Sequence, residues 1–323
     1  MFARNNFGYS PNHSKFIVKK QPNNPELSNV RAAMSACPVG AIRAENSAQR
    51  NHIGKEKLSE EETELAKSLI LNPKLNSLAL PFPQTVPGFT SIYHLGHHNH
   101  RSFGAVPYLI QSEVNVMVDS PKYSAASVKA ISSLCDGPDY LFLTHVDDIA
   151  DHEKWKDHYP NLKRIIHEEE LENNWIGDEE LKNVEIILRG SLDEEDKVMA
   201  WDLDGNAIPI DLNEPNIENE FIILHTPGHS LGSISLLHKS TPDNRNALFT
   251  GDTYAYSLRL KSMTGFPYYG RDLNLQSQTL RKLLRLPWDF IAPGHGSYKD
   301  YSGEEKREED VDQAIEYMLS IKR

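Results

Sequence analysis

The sequence predicts a layered α/β domain, and three observations predict it. From about residue 80 onward, nine short runs rich in β-branched and aromatic residues recur, each closed by polar or glycine residues. Stretches of helical periodicity fall between some of these runs. The length and composition fit: 323 residues, of which 39% are hydrophobic and 25% charged, can build a packed core and exclude wholesale disorder.

In chain order, FIVKK (Phe16 to Lys20) reads as a short strand, and Pro25 to Ala36 as a helix with Leu27, Val30 and Met34 on one face. Cys37-Pro38 ends that helix, and VGAIR follows as a turn and short strand. Residues 44–58 are polar and read as a linker. Ser59 caps a further helix, with Glu62 completing a capping box and Leu65, Leu69 and Ile70 as its apolar stripe. The nine strands are AVPYLIQ, VNVMVDS, DYLFLTH, KRIIHEE, VEIIL, EFIILHT, SISLLH, NALFTGD and DFIAPGH. Helices are expected at Ala125 to Leu134, Ile149 to His158, Leu275 to Leu284 and Glu308 to Ile321. The implied division is residues 1–50, a linker and helix over 51–80, and a main domain over 81–323.

Composition narrows the function. The net charge is −12, so the chain has no bulk attraction for a phosphate backbone, and no nucleic-acid partner is expected. No apolar run approaches the ~20 residues that cross a bilayer, so no membrane partner is expected either. The first residues lack the apolar core of a secretory signal. Cys37 and Cys135 are the only cysteines, which excludes a disulfide framework and fits a reducing intracellular compartment, either cytoplasm or plastid. The expected partner is a small-molecule substrate, and the expected assembly a homodimer.

Four strands end abruptly in a potential ligand. LFLTH ends at His145, FIILHTPGH turns through Pro-Gly to His229, ALFTGD ends at Asp252, and FIAPGH turns to His295. The segment DDIADH adds Asp147, Asp148, Asp151 and His152. A strand that stops in a turn presents its last side chain at the sheet edge, where ligands bind. Imidazole and carboxylate suit zinc, iron and manganese without any thiolate. Each feature alone is ordinary, since a Pro-Gly-His is usually just a turn. Their joint occurrence points to a metal site.

The blocks Thr144-His145, Asp151-His152, His225-Thr226-Pro227-Gly228-His229-Ser230, Thr250-Gly251-Asp252-Thr253 and Pro293-Gly294-His295-Gly296 resemble the metallo-β-lactamase superfamily over roughly residues 85–300. The resemblance implies an αββα sandwich with a two-metal site at one edge, a metal-held hydroxide as nucleophile, and zinc, or else iron or manganese, as the ions. It assigns His145, Asp147 and His229 to one ion, Asp151, His152 and His295 to the second, and Asp252 as the bridge. Asp151 and Asp252 would also fix the nucleophile. The family pattern H-x-H-x-D-H departs here: its second histidine is missing, and the segment is two residues longer. Asp147 stands at the offset of that histidine, with Asp148 as its rival. A carboxylate there makes the first site harder and allows a single-metal site. The activity implied is hydrolysis of an acyl compound such as a thioester or lactone. The alternative is a non-haem iron oxidoreductase, sulfur dioxygenase-like or di-iron, on the same fold; a non-enzymatic binding module is the third option.

Further residues have weaker signals. His94, His97, His98 and His100 read as a polar loop near the mouth, with substrate contact or an accessory metal as the alternative. His167 reads as a pocket residue or a support to the ligands, and His225 as a packing or hydrogen-bonding residue; Tyr254, Arg271 and Arg281 lie between the last two ligand blocks, the arginines reading as surface ion-pairing residues with contact to an anionic substrate as the alternative. SKFIVKK and VRAAMSACPVGAIR resemble the latter half of a ferredoxin-like domain, in a combination that resembles a plant and algal group of this superfamily. A cluster there needs three more thiolates from a C-x2-C-x2-C-like run, which this chain lacks. The expectation is a truncated ferredoxin-like remnant without an iron–sulfur cluster.

Overall fold

The computed structural model describes residue 3, residues 5–10, 12, 15–37, 42, 82–302 and 306–321. The N-terminal part holds β1 (Phe7–Ser10) and β2 (Lys15–Val18), paired antiparallel, and the helix α1 (Leu27–Ala36) behind a 3-10 turn at Asn24–Glu26. Ala3, Val30 and Ala33 form its small buried cluster. The expected strand and helix of this part are therefore present, the strand beginning and ending slightly earlier than its apolar run suggests. The expected linker, the helix starting at Ser59 and, apart from residue 42, the VGAIR segment lie outside the described residues.

All nine expected strands of the main domain form. The first sheet runs in spatial order through β3 (Gln84–Thr85), β4 (Ile92–His94), β5 (Tyr108–Ile110), β6 (Val116–Val118), β7 (Tyr140–Phe142), β8 (Lys163–His167) and β9 (Ile186–Leu188). It is antiparallel up to β6 and parallel from β6 to β9. All three crossovers of the parallel part carry helices: α2 (Ala125–Ser132) leads from β6 to β7, α3 (His152–His158) from β7 to β8, and the short α4 (Glu168–Glu172) from β8 towards β9. Ser124 caps α2 by accepting from the Ser127 amide, and the Ser127 hydroxyl returns to the Ser124 amide. The helix expected from Ile149 starts later, at His152, because a 3-10 turn over Val146–Asp148 and a left-handed Asp151 (φ +70) intervene.

After a small β10 (Lys197–Val198) and β12 (Ile210–Asp211) pair flanking β11 (Ala200–Trp201), the second sheet runs β11, β13 (Phe221–His225), β14 (Ile234–Ser240), β15 (Arg245–Gly251), β18 (Phe290–Pro293) and β19 (Lys299–Asp300). Between β15 and β18 lie a hairpin, β16 (Ala255–Ser257) with β17 (Ser262–Thr264), and the helix α5 (Leu273–Leu284), capped by Asp272. The helix α6 (Arg307–Ser320) follows β19.

Burial on both faces of the strands dictates the layering, because alternate side chains of a strand point to opposite faces. Ile110, Val116, Val118, Phe142 and Ile165 of one sheet meet Ile223, Leu236, Phe249, Phe290 and Ala292 of the other in the inner core. Their sequence neighbours point outward. Leu109, Met117, Leu141 and Ile166 pack with Ile131 and Trp155 of the first helical layer. Ile222, Leu224, Leu237, Leu248 and Ile291 pack with Leu280, Leu283, Val311, Ile315 and Met318 of the second. The result is an αββα sandwich. β13 and β15, each antiparallel to β14, run in one direction with β18, so their C-terminal ends gather on one edge.

Candidate metal centre

That edge collects the chemistry. β7 continues through Thr144 into His145 and the 3-10 turn carrying Asp147 and Asp148. β13 leads into the turn of His229, β15 into Asp252, and β18 into His295. Hydrogen bonds lock the loops together. The Ile234 amide donates to the Thr144 carbonyl (3.0 Å), the Gly294 amide to the Gly251 carbonyl (2.8 Å), and the Val106 amide to the Gly294 carbonyl (2.7 Å). Gly251 has φ +49, and a Cβ there would stand 2.6 Å from Thr144 Oγ1, so only glycine lets β15 approach β7 this closely.

Asp252 Oδ2 is the centre of the arrangement. It lies 4.0 Å from His145 Nε2, 3.7 Å from His229 Nε2 and 3.9 Å from His295 Nε2. On one side, Asp147 Oδ2 stands 3.8 Å from His145 Nε2 and 3.7 Å from His229 Nε2. On the other, Asp148 Oδ1 stands 3.5 Å from His295 Nε2. Two sets of ligand atoms thus converge within 4.8 Å: His145, Asp147 and His229, and Asp148, Asp252 and His295.

Asp151 and His152 join neither set. Asp151 accepts from Asn99 Nδ2 (2.8 Å) and the Tyr123 amide (3.0 Å), and pairs with Arg101 and Lys154. Burial acts to raise its pKa, but Lys154, the Tyr123 amide and Arg101 prevail and hold it below the usual carboxylate range. His152 accepts at Nδ1 from Arg164 Nη1 (3.0 Å). A guanidinium only donates, so the His152 proton sits on Nε2, toward Asp178 Oδ2 at 3.6 Å. A third convergence, His152 with Glu153 and Asp178, therefore has no imidazole lone pair to offer. The 3-10 turn accounts for this placement. It brings adjacent Asp147 and Asp148 to opposite sides of Asp252, and the extra residues carry Asp151 and His152 past the site to the start of α3.

Several polar atoms of these residues are buried and unpaired. Among the described residues, His145 Nε2, both carboxylate oxygens of Asp148, Asp252 Oδ1 and His229 Nδ1 have no hydrogen-bond partner. Buried polar atoms are ordinarily paired, so this set calls for a ligand. The charges agree. Burial alone would lower the pKa values of His145 and His295, yet the surrounding carboxylates, Asp148 and Asp252 foremost, push them to about 9 and about 10. Burial and Asp148 also push Asp119 upward. An excess of buried negative charge that protonates its own histidines is what bound cations relieve. The donors, three imidazoles and three carboxylates, fit two divalent cations of the borderline-to-hard class.

Two buried carboxylates that support the site were not singled out from sequence. Asp119, at the end of β6, accepts from the Thr144 amide (2.9 Å) and from Thr144 Oγ1 (3.0 Å). That hydroxyl in turn accepts from His145 Nδ1 (3.0 Å), which leaves Nε2 to face Asp252. Glu170, fully buried on α4, accepts from the Val146 amide (2.7 Å), the Gly232 amide (2.9 Å) and the Ser230 hydroxyl (2.5 Å), clamping the His145 loop to the His229 loop. Neither carries a spacing signal; both sit in short polar runs at strand ends.

The remaining residues fall into place. His94, His97, His98 and His100 belong to none of the three convergences among the described residues. His98 Nδ1 donates to the Gly104 carbonyl (2.7 Å), and burial drives its pKa down to about 4. His167 stacks on His225 (centroids 4.4 Å apart), and each bonds a backbone carbonyl, Gly190 and Leu231 respectively. Arg271 bonds Asn173 Oδ1, and Arg281 stands 3.9 Å from Asp312.

Residues 1–44 match the family described as the 4Fe-4S single cluster domain of Ferredoxin I. A cluster of that kind takes four thiolates. This chain has two cysteines, of which only Cys37 falls in the matched segment, so its residues do not fit that group. No curated protein matches. Among solved structures, an archaeal metallo-beta-lactamase superfamily protein from Sulfolobus tokodaii is 20% identical, with 68% of this chain and 81% of that one covered at a TM-score of 0.40. The DIM-1 metallo-beta-lactamase is 13% identical, covering 70% and 95% at 0.46. A quorum-quenching N-acyl homoserine lactone hydrolase is 20% identical, covering 59% and 79% at 0.41. Residues 124–295, more than half of the chain, match the model of the metallo-beta-lactamase superfamily, and the chain belongs to that superfamily.

Proposed function

We propose that the chain is a metal-dependent hydrolase acting on an acyl compound such as a thioester or lactone. The observation that carries this reading is the position of Asp252 Oδ2, within 4.0 Å of three imidazole nitrogens drawn from both ligand sets. A carboxylate so placed is suited to bridge two cations. His145, Asp147 and His229 would hold one, and Asp148 and His295 the other, with Asp252 shared. Such a pair supplies Lewis-acid polarisation of an acyl carbonyl and a water acidic enough to attack it near neutral pH.

The chain's own groups set the rest. Thr144 and Asp119 orient His145, and Glu170 fixes the spacing between the His145 and His229 loops. Asp252 Oδ1, without a hydrogen-bond partner among the described residues, would be the acceptor for the proton of an attacking water. Asp151, engaged by Arg101 and Lys154, has no part in the chemistry. Exposed Phe103 and Trp175, stacked at 6.2 Å, offer an apolar surface for the acyl portion.

One observation favours a second reading. His145, His229 and Asp147 form a two-histidine, one-carboxylate set, the donor combination of non-haem iron oxygenases. Elemental analysis of protein purified without added metal, combined with assays on thioesters and lactones and with oxygen consumption, separates the two. About two zinc or manganese ions per chain with acyl turnover supports the hydrolase. Iron with oxygen uptake and no acyl turnover overturns it in favour of the oxidoreductase.

A further inference from the structure

The segment after α4 reaches over the site. Asn173 Nδ2 donates to the Glu169 carbonyl (2.8 Å), the Gly177 amide bonds Asn174 Oδ1 (3.1 Å), and Asn174 Nδ2 bonds the Asp178 carbonyl (2.7 Å). These local bonds form a turn that carries Trp175. Its indole Nε1–H donates to Asp147 Oδ1 at 2.8 Å. Its ring, 66% exposed, stacks on Phe103 from the loop after β4. Arg271, next to the His229 turn, donates to Asn173 Oδ1 (2.7 Å) and ties the third side of the mouth to the same segment.

The two oxygens of Asp147 are therefore differentiated. Oδ1 is engaged by the indole, and Oδ2 faces His145 and His229. A free carboxylate on a loop can swing or offer both oxygens to a cation. One held by a directional N–H presents a single oxygen in a fixed direction, as a histidine nitrogen would. We propose that Trp175 is a positioning residue that makes Asp147 a one-oxygen ligand of the first cation. This inference rests on the reading of the site as a metal centre.

The test uses cobalt(II) added to metal-free protein, followed by calorimetry, by the visible absorption of the bound ion and by tryptophan emission. Trp155, Trp201 and Trp288 are at most 1% exposed, so emission accessible to acrylamide reports Trp175. In the parent protein, cobalt filling the first position is expected to quench that accessible emission. In Trp175→Phe, which keeps a ring for Phe103 and loses the N–H, one of the two cobalt steps is expected to weaken about tenfold or more, the usual consequence of removing a hydrogen bond to a ligand. The other step, and the unfolding of the metal-free protein, stay unchanged. Two unchanged steps overturn the inference alone, as does equal weakening of both. Failure of the parent protein to bind cobalt removes the reading of the site, and the inference with it.

Discussion

Replacing Asp252 with alanine is expected to reduce acyl turnover at least about a thousandfold and to remove at least one of two bound cations. Asp252 Oδ2 lies within 4.0 Å of imidazole nitrogens from both ligand sets, so its loss is expected to affect both positions at once. A cation's stabilisation of developing charge is worth several kcal/mol, and about 4 kcal/mol corresponds to roughly a thousandfold in rate. The fold should tolerate the change. Asp252 Oδ1 has no hydrogen-bond partner among the described residues, so the substitution strands no donor there. Metal-free Asp252→Ala should therefore unfold within about 1 kcal/mol of the parent. It should lack the stabilisation that saturating cation gives the parent, about 2.7 kcal/mol at a hundredfold excess over Kd. Urea unfolding with and without zinc measures both quantities. Retention of two tightly bound cations would contradict the bridging role.

Glu170→Ala is expected to give the largest loss of stability. The carboxylate is fully buried and accepts from the Val146 amide, 24 residues away, and from the Gly232 amide and Ser230 hydroxyl, 62 and 60 residues away. Its removal strands the Val146 and Gly232 amides without acceptors, at about 1–3 kcal/mol each. A total loss of about 3–5 kcal/mol is expected in urea unfolding. Because the clamp joins the loops of His145 and His229, cation affinity should fall with it, measured at a temperature where the variant is folded. Glu170→Gln keeps one acceptor oxygen and should lose less of both. A stability loss with unaltered cation affinity would show that Glu170 supports the fold and not the site.

Much of the fold was legible because strands buried on both faces read as continuous apolar runs, and all nine were found this way. The shorter pairs, such as β3 with β4 and β16 with β17, were not, since two or three residues carry no periodicity. The same logic located His145, His229, Asp252 and His295, each the abrupt polar end of an apolar strand. The segment between His145 and His152 was less legible. Matching a pattern by its residue types favoured Asp151-His152, whereas the backbone decides through a 3-10 turn and a left-handed Asp151, which brings Asp148 inward. The local cue was present: two extra residues must alter which side chains face the site. Asp119 and Glu170 act through hydrogen bonds to loops distant in sequence, and neither residue type nor spacing records such partners. Trp175 was silent for the same reason.

The most direct measurement is the anomalous diffraction of crystals of the metal-loaded protein. The account predicts two peaks flanking Asp252, one against His145, Asp147 and His229 and the other against Asp148 and His295. A peak bound by Asp151 or His152, with Asp148 left outside the coordination sphere, would contradict it.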